Sequence, residues 1–573
     1  MSLGTTLDWN TYSSNGVTSF HHNKKAATTW SNIDDATIPA KITGTCAGAL
    51  TLGYDSGTAT GTQTVTLRSA SGAGPIFTDA SATFSGLTFS TELGASTLTN
   101  AILAQATNTA LAADTAFTLT VNGDQNLTMT GIALTYMSTL ALNNDSGTTA
   151  SLTFTSESLG NASPGFAVTN SGNGNHTLQL ATTGILHAST EMAFGSGTNN
   201  LRLVWDCTHQ STPTTPFTGV TNLVITDAIT TTDTFTASDL LNASTTSIIF
   251  EEAPTAAATI DGLPDNATIQ IGETGRTGVP LKPTASVTYN ATSASSTLTY
   301  TILGNSSADA DSDQQLTLGS NVDDLNINLS TGMDQAATIT VTSTANLATL
   351  DIGSGNASGT YTISVGGTVS GLVTFDAGDT LGQVIATIPT AVTTLIGGSD
   401  GNTFTDSAVV GTATTGVVTT TFAAGTDILK YQSTTTTPKY VISSFTDNTD
   451  IIYLKTGVNI SNFTPGTGTS ILKDSSGVFV SNGQSTVSET ITNLSTAMAA
   501  SKSLIVYDIA SGVAGGANAV GTHASFSDVR MLAAPTDDDA LVAILYENSD
   551  RSDVATLGLL QFSVDSLGAP TAL

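Results

Sequence analysis

Short triplets of apolar, polar and apolar residues recur along the chain from about residue 117 onward. The polar member is usually Thr, as in LTV at 119–121 and LTF at 152–154. Because successive side chains of a β-strand point to opposite faces, this alternation predicts half-buried strands. About fifteen such strands follow one another up to LDI at 350–352, separated by segments rich in Gly, Asn, Ser and Asp. The pattern predicts an all-β chain.

The spacing of the triplets bears on how the strands are arranged. They lie roughly 10 to 25 residues apart, are nearly uniform in length, and are not separated by Asn-Gly hairpin turns. Only 14 Pro occur in 573 residues. These features favour a parallel β-solenoid, in which each turn contributes one short strand to each face. Tandem β-sandwich domains remain the alternative.

Two segments show helical rather than strand spacing. Residues 360–396 predict a small α/β insertion of strand, turn, strand and helix, in which Asp379 or Thr380 caps the helix and Pro389 disturbs it. The apolar positions 381, 384, 385 and 388 provide its helical stripe. A second helix is predicted at 488–502. Both are interpreted as packing elements.

These changes of pattern divide the chain into five predicted regions. Residues 1–95 form an N-terminal assembly region and residues 96–355 a strand-rich β-solenoid. Residues 356–400 hold the α/β insertion, residues 401–500 a β-domain, and residues 501–573 a C-terminal β-domain.

Charge narrows the range of partners. The chain has 14 Lys and Arg against 45 Asp and Glu, a formal net charge of −31. This balance excludes nucleic acid and disfavours anionic membranes, leaving cations, neutral glycans or copies of the chain itself. With 39 % hydrophobic residues and a mean hydropathy of +0.14, the chain is expected to fold. The sequence predicts neither a transmembrane segment nor a cleaved N-terminal signal peptide.

Clusters of acidic residues are the strongest candidates for ligand binding. Alternate or adjacent carboxylates in loops can converge with carbonyl oxygens on Ca²⁺. The alternative for each cluster is a solvated loop. The candidate ligands are Asp309, Asp311, Asp313, Asp323, Asp324, Asp447, Asp450, Asp537, Asp538 and Asp539.

Catalysis is disfavoured by the shortage of titratable groups. The six His are scattered, and no G-x-S-x-G, H-E-x-x-H or Walker motif occurs. A solenoid polysaccharide lyase or epimerase would need a cation beside an acidic cluster on one sheet face. Within the strand-rich region, Arg202 and Arg276 are the only residues placed to supply it. The sequence therefore predicts a protein that is not an enzyme.

The first 70 residues are the least acidic part of the chain and are rich in aromatic residues. Lys24, Lys25, Trp30 and Lys41 are candidates for anchoring the protein to lipopolysaccharide or another acidic glycan. A cap for the solenoid or a contact between protomers is the alternative. The two Cys, at 46 and 207, leave open whether they form a disulfide.

The segments GTDILKYQ (425–432) and KYVISSFTDNTDIIYL (439–454) resemble a pattern near the C-terminal end of proteins exported by bacterial type I secretion. The pattern is carried by Asp427, Ile442, Phe445, Asp447, Asp450, Ile452 and Leu454. The segments at 121–131 and 195–206 are similar to turns of the surface-layer (S-layer) proteins that use this route. The glycine-aspartate nonapeptide of RTX proteins is missing, with GGSDGNTFT at 397–405 as a remnant.

The resemblance to RTX-related S-layer proteins implies an extracellular structural protein of a Gram-negative bacterium, which assembles with calcium and carries an uncleaved C-terminal export signal. Self-assembly into a layer, filament or sheath is the first hypothesis. A type I-secreted adhesin or glycan-binding protein is the second, and the solenoid enzyme is the third.

Overall fold

The computed structural model describes residues 5–454 apart from short gaps, and beyond residue 454 only five strands. The gaps of six or more residues lie at 106–117, 155–166, 181–189, 209–215, 273–280, 307–312, 407–416, 432–438 and 444–450. Contacts divide the chain into two compact units. Unit 1 comprises Met1–Glu273 with Asn290–Ser293, and unit 2 comprises Thr274–Tyr289 with Ala294–Leu573.

In its described residues, unit 1 consists mainly of strands, with two four-residue helices, α1 (Trp9–Tyr12) and α2 (Ala237–Leu240), and a 3₁₀ turn at Trp205–Thr208. Its strands are β1 (Thr5–Asp8), β2 (Phe20–His22), β3 (Thr28–Ile33), β4 (Ala40–Cys46), β5 (Leu50–Tyr54), β6 (Gly61–Ala73), β7 (Ile76–Asp79), β8 (Phe84–Glu92), β9 (Ser96–Thr99), β10 (Ile102–Gln105), β11 (Thr118–Gly123), β12 (Leu127–Leu134), β13 (Thr139–Asn144), β14 (Thr149–Phe154), β15 (Ala167–Asn170), β16 (Asn175–Leu180), β17 (Glu191–Met192), β18 (Asn199–Leu203), β19 (Asn222–Ile225), β20 (Thr234–Thr236), β21 (Ser247–Phe250), β22 (Thr259–Leu263) and β23 (Ala267–Ile271).

The strands of unit 1 stack into three parallel ladders. The first joins β1, β3, β5, β7 and β10. The second joins β2, β4, β6, β8, β11, β13, β15 and β17. The third joins β9, β12, β14, β16, β18, β19, β21 and β23, while β20 pairs with β22. Unit 1 is therefore a parallel β-solenoid.

Unit 2 repeats this architecture. Its strands are β24 (Val287–Ala291, whose last two residues belong to unit 1), β25 (Ser296–Ile302), β26 (Asn305–Ser306), β27 (Gln314–Leu318), β28 (Val322–Leu329), β29 (Gly332–Met333), β30 (Ala336–Ser343), β31 (Thr349–Ser354), β32 (Thr360–Gly367), β33 (Thr374–Asp376), β34 (Gln383–Ile388), β35 (Thr394–Ile396), β36 (Thr403–Asp406), β37 (Val417–Thr421), β38 (Ile428–Tyr431), β39 (Lys439–Ser443), β40 (Ile451–Leu454), β41 (Leu472–Lys473), β42 (Phe479–Val480), β43 (Ile505–Tyr507), β44 (Ala540–Glu547) and β45 (Leu557–Val564).

Two long parallel ladders run through unit 2. One joins β25, β28, β31, β33, β35, β37 and β39. The other joins β24, β27, β30, β32, β34, β36, β38 and β40. The pairs β41–β42 and β44–β45 are antiparallel, whereas β43 pairs with β44 in parallel.

The core of each unit is a set of apolar columns that run from turn to turn. Parallel in-register pairing places the inward side chain of one strand on that of the next. A column of unit 1 contains Leu152, Leu178, Leu201, Leu223, Ile248 and Ile269, and one of unit 2 contains Leu298, Leu325, Leu350, Phe375 and Leu395. All of these side chains are at most 2 % exposed.

Aromatic side chains pack together near the start of unit 1. The ring of Phe20 lies 5.6 Å from that of Trp9 and 5.0 Å from that of Trp30, and the indole Nε1 of Trp9 donates to a carboxylate oxygen of Asp34. Edge and tilted arrangements of this kind stabilise aromatic clusters. The cluster covers apolar residues of the first turns, since Trp9 and Phe20 are almost fully buried.

The parallel β-solenoid predicted from the sequence is confirmed, and no tandem sandwich occurs in the described part of residues 5–454. The segment around 119–129 stacks in parallel on its neighbours, because Leu119 pairs with Leu140 and Met129 with Leu152. Apart from the α/β insertion at 356–400, the predicted regions remain a prediction. None of the helices in the described residues is long and apolar enough to cross a membrane.

The predicted helix of the α/β insertion is wrong. Residues 383–388 form β34, which lies between β32 and β36 in a parallel ladder. Val384, Ala386 and Ile388 are buried at alternate positions, which is the strand period. The insertion at 360–396 is thus part of the solenoid. The second predicted helix, at 488–502, lies outside the described residues.

Removing one member of an apolar column should destabilise unit 1. Leu201→Ala leaves a cavity between Leu178 and Leu223, and we expect a loss of about 3 kcal/mol in the free energy of unfolding, measured by urea denaturation. Ser151→Ala, at an outward position of the same ladder, should change it by less than about 0.5 kcal/mol. Equal effects of the two variants would contradict the assignment of inward and outward positions.

Candidate functional site

The third ladder of unit 1 presents a surface with almost no charge, which we call the neutral face. It consists of the alternate, outward positions of β12, β14, β16, β18, β19, β21 and β23. One column holds Thr128, Ser151, Thr177, Asn200, Asn222, Ser247 and Thr268, and the next holds Thr153, Gln179, Arg202, Val224, Ile249 and Gln270. Arg202 is the single ionisable residue in the two columns.

Hydrogen bonds between turns order the side chains of the neutral face. Asn222 Nδ2 donates to Asn200 Oδ1 at 2.7 Å, and Asn200 Nδ2 donates to Thr177 Oγ1 at 3.3 Å. Each of these bonds runs along a column, because in-register pairing sets like positions about 4.8 Å apart. The face therefore presents polar groups whose rotamers are already restricted.

Arg202 is bound from two directions on this face. Its Nη1 and Nη2 donate to Oε1 and Oε2 of Glu251 at 2.6 and 2.7 Å, and its Nε donates to Gln179 Oε1 at 3.2 Å. This bidentate pair spans two turns of the solenoid. Val224 and Ile249 take the outward positions of the two strands that the Arg202 side chain crosses, yet they are only 5 % and 9 % exposed. The ion pair therefore covers an apolar part of the face.

Carboxylates gather where the strands of the third ladder end. Asp206 follows β18, Asp227 follows β19 and Glu252 follows β21. Burial raises the pKa of Asp227, and Asp206 and Glu252 raise it further, while a hydrogen bond from the Trp205 amide at 2.6 Å acts in the opposite direction. The polysaccharide-enzyme hypothesis asked for a cation beside an acidic cluster. Arg202 lies near one, but its side chain is engaged by Glu251 and Gln179.

A cluster of buried polar side chains around His176 links neighbouring turns of unit 1 by hydrogen bonds. The Nδ1 atom of His176 lies 2.7 Å from Asn199 Oδ1, and Nε2 lies 2.5 Å from Asn144 Oδ1. Asn199 Nδ2 donates to the carbonyl oxygens of residues 195, 197 and 219, each at 2.9 Å, which fixes the orientation of its amide. Both ring nitrogens of His176 thus face amide oxygens, and a neutral imidazole can donate to only one of the two.

Burial lowers the pKa of His176, and its hydrogen bond with Asn199 opposes that shift. The side chains that contact the ring are uncharged, namely Asn144, Asn170, Asn199 and the ring of Phe194 at 6.4 Å. With no carboxylate to compensate a proton, desolvation is the larger influence.

In unit 2, a shallow depression of about 390 Å³ opens on the outward side of β28 and β31. Asp351 lines it and shares a column with Asn326 and Asp376. Asp379 and the 47 %-exposed side chain of Leu381 also line it. The remaining lining residues are Ile327, Asn328, Thr331, Gly353 and Ser354.

The carboxylates of this depression repel one another. Burial raises the pKa of Asp351, and Asp376 and Asp379 raise it further, against a backbone hydrogen bond at Ile352. Asp376 accepts a hydrogen bond from the Gly378 amide at 2.8 Å. In the described part of the chain, no three His, Cys, Asp or Glu side chains converge closely enough to hold a metal ion. The depression is acidic, and its carboxylates would have to move closer together to share one ion.

The structure describes three of the ten acidic residues that the sequence singled out as calcium ligands. Asp313 Oδ1 accepts the Thr338 amide at 2.8 Å, and its Oδ2 lies 3.6 Å from Lys282 Nζ. Asp323 and Asp324 lie in β28, where the ladder register shifts by one residue. The other predicted calcium ligands, Asp309, Asp311, Asp447, Asp450, Asp537, Asp538 and Asp539, lie outside the described residues. Their role remains a prediction.

Asp427 of the secretion-like pattern has an internal partner. It is fully buried, and its Oδ1 accepts the backbone amide of Asn402 at 2.8 Å and the Asn402 side-chain amide at 2.7 Å. These bonds tie one turn to the next. Ile442, Ile452 and Leu454 lie in β39 and β40, while Phe445 lies outside the described residues.

The proposed anchor residues are only partly described. Trp30 lies in β3 against Phe20, and Lys41 lies in β4, in register with His21 and Thr66. These two strands belong to different ladders. Lys24 and Lys25 lie outside the described residues, and Arg276 does as well.

Comparison with known proteins identifies no relative. No protein-family model matches the chain, and neither a curated protein nor a solved structure is similar to it. The class of the molecule, a parallel β-solenoid, is defined by its strand pairing alone.

Sequence reasoning missed the residues that the solenoid brings together. Asp351 and Asp376 share a column because one turn separates them, and Arg202 reaches Glu251 across two turns. Aligning the apolar triplets at the turn length would have revealed both pairs. The turns between β14 and β23 differ in length, from 21 to 26 residues between column members, so a fixed repeat does not find them.

Acidification should destabilise unit 1 through His176. Because its pKa is lowered in the folded state, the unfolded chain takes up a proton first, and stability falls as the pH drops below about 6.5, by up to about 1.4 kcal/mol per pH unit. His176→Gln should lack this part of the dependence. Denaturation of both proteins across the pH range measures it, and parallel curves would refute the assignment.

Neutralising Asp351 should stabilise unit 2 at neutral pH. Asp351→Asn removes repulsion with Asp376 and Asp379, and we expect a gain of about 0.5 kcal/mol without divalent cations. The gain should vanish at low pH, where the raised pKa leaves the wild-type carboxyl protonated. Asp239→Asn, at an exposed carboxylate of unit 1, is the matched control. A loss of stability in Asp351→Asn would show that the carboxylate has a partner.

Proposed function

We propose that this chain is a secreted structural protein that assembles with copies of itself into an extracellular layer, or a related filament or sheath, on a Gram-negative bacterium. The observation that carries the proposal is the parallel β-solenoid with a broad, ordered, nearly uncharged face. Such a surface suits repeated contacts rather than a single ligand.

Side-chain composition supports this role. The neutral face consists mainly of Thr, Ser and Asn, which lose little conformational entropy when they are covered. Lys side chains, which lose the most, do not occur in its two columns. Covering this face with another protein is therefore less costly than covering an ordinary surface rich in Lys and Glu.

Calcium is the cofactor that we propose for assembly. A formal net charge of −31 opposes the approach of copies, and divalent cations would reduce that repulsion. The carboxylate of Asp351, whose pKa is raised by burial and by two neighbouring carboxylates, is a described group that a bound cation would stabilise. The sequence clusters from Asp309 to Asp539 are further candidate ligands.

Export and attachment complete the proposal. The resemblance at 425–454 supports type I secretion, which needs no cleaved N-terminal signal peptide. The basic and aromatic residues near the N-terminus, Lys24, Lys25, Trp30 and Lys41, would contact lipopolysaccharide or another acidic surface glycan. No nucleic-acid partner is proposed, because the chain lacks clustered cations.

A type I-secreted adhesin or glycan-binding protein is the second candidate. The depression in unit 2 favours it, since Asn326, Asn328 and Asp351 present amide and carboxylate groups that can hydrogen-bond sugar hydroxyls beside the apolar Leu381. The solenoid lyase or epimerase lacks such support, as the one described candidate cation, Arg202, is already paired with Glu251.

Electron microscopy of the purified full chain tests the proposal. We expect ordered arrays or filaments in millimolar calcium and their dispersal by a chelator, with magnesium as the ionic-strength control. Arrays that persist in chelator would remove calcium from the proposal. A chain that stays monomeric at all concentrations and calcium levels would reject self-assembly and favour the adhesin.

A further inference from the structure

We infer that the neutral face of unit 1 is the surface through which one copy of the chain contacts another, face to face. The inference rests on the proposed function of self-assembly and assigns that function to a surface. The partner is a second copy, which presents the same seven strands.

Charge is the first argument for this surface. Six of the seven strands carry no charged side chain at their outward column positions, and on β18 the charge of Arg202 is compensated by Glu251. Carboxylates flank this ladder at both ends of its strands, with Asp124, Asp145 and Asp265 before their strands and Asp206, Asp227 and Glu252 after theirs. For two copies that each carry −31, an approach through the middle of this face brings few like charges together.

Preorganisation is the second argument. Asn222, Asn200 and Thr177 are linked by hydrogen bonds along one column, and Arg202 is fixed between Gln179 and Glu251 in the next. Side chains that are already ordered lose less entropy when a partner covers them. Their remaining donors and acceptors can pair with the same groups of a second copy, since amides and hydroxyls both donate and accept.

The area of the neutral face is the third argument. Seven strands about 4.8 Å apart, each presenting about five residues of 3.3 Å, cover roughly 500 Å². Two copies would bury roughly 1,000 Å², close to the minimum for a specific contact and below the standard size. A single contact of this area is reversible, and many such contacts in an array stabilise one another.

Introducing charged side chains on the neutral face of the full chain tests the inference. Ser151 and Ser247 lie in the same column, two strands on either side of β18. The variant S151E/S247E places two carboxylates on the face and should weaken self-association at least about tenfold in sedimentation experiments with calcium. The matched control, T120E/T169E, adds the same charge to outward positions of the second ladder and should associate like the wild type.

The partner variant S151K/S247K makes the test specific. Mixed with S151E/S247E, it should restore association, because opposite charges then meet across the contact. Circular dichroism and thermal unfolding verify that each variant is folded.

The possible results separate this inference from the proposed function. Wild-type arrays that are unaffected by S151E/S247E, or weakened equally by T120E/T169E, would overturn the assigned face and leave self-assembly standing. A wild type that never associates would overturn both. A third result would be that the wild type binds a neutral glycan without self-associating in sedimentation experiments, and that S151E/S247E abolishes this binding. That result would assign the face to a glycan and also overturn the inference.

Discussion

Every turn of this molecule depends on the in-register stacking of its inward side chains on those of the next turn. A single turn has too few residues to bury an apolar side chain by itself, so Leu201 is buried only because Leu178 and Leu223 lie directly on either side of it. The same register also fixes the outward side chains, which form columns of their own. Core and surface are therefore set by one constraint, and a change in register would alter both.

Buried polar side chains hold neighbouring turns together at positions where apolar side chains would leave backbone groups without hydrogen bonds. At the turns near His176, backbone carbonyls point into the interior, and the amide of Asn199 donates to three of them. In unit 2, Asp427 and Asn402 serve the same purpose between β36 and β38. These residues hold the turns of the backbone close together, which is a structural role. Asp427 therefore shows that a residue in a sequence pattern associated with secretion can have a folding role that sequence alone does not reveal.

The sequence predicted the architecture well because strand alternation is a local property. Triplets such as 119–121 predict a strand from the local sequence alone, and their nearly uniform length and lack of intervening hairpin turns favour parallel stacking. The helix predicted after Asp379 was wrong because only two of its four apolar residues, Val384 and Ile388, are buried, and they are buried together with Ala386 at strand spacing. Neighbouring turns decide between helix and strand, since Val384 has Tyr361 as its ladder partner. The pairing of Asp351 with Asp376 and of Arg202 with Glu251 was missed because turn length varies along the chain.

The shortage of charge, which first pointed to function, is partly a consequence of the fold. In-register stacking places identical positions of neighbouring turns about 4.8 Å apart, so a charged residue repeated from turn to turn meets its own kind. Asp351 and Asp376 show this repulsion, since each raises the electrostatic energy of the other. Ser151, Thr177 and Asn200, in contrast, share a column without repulsion. Neutral polar columns are therefore what a parallel solenoid favours with or without a partner. The property that the fold does not account for is the excess of acid over base, and under the proposed self-assembly this excess makes the position of the neutral face informative.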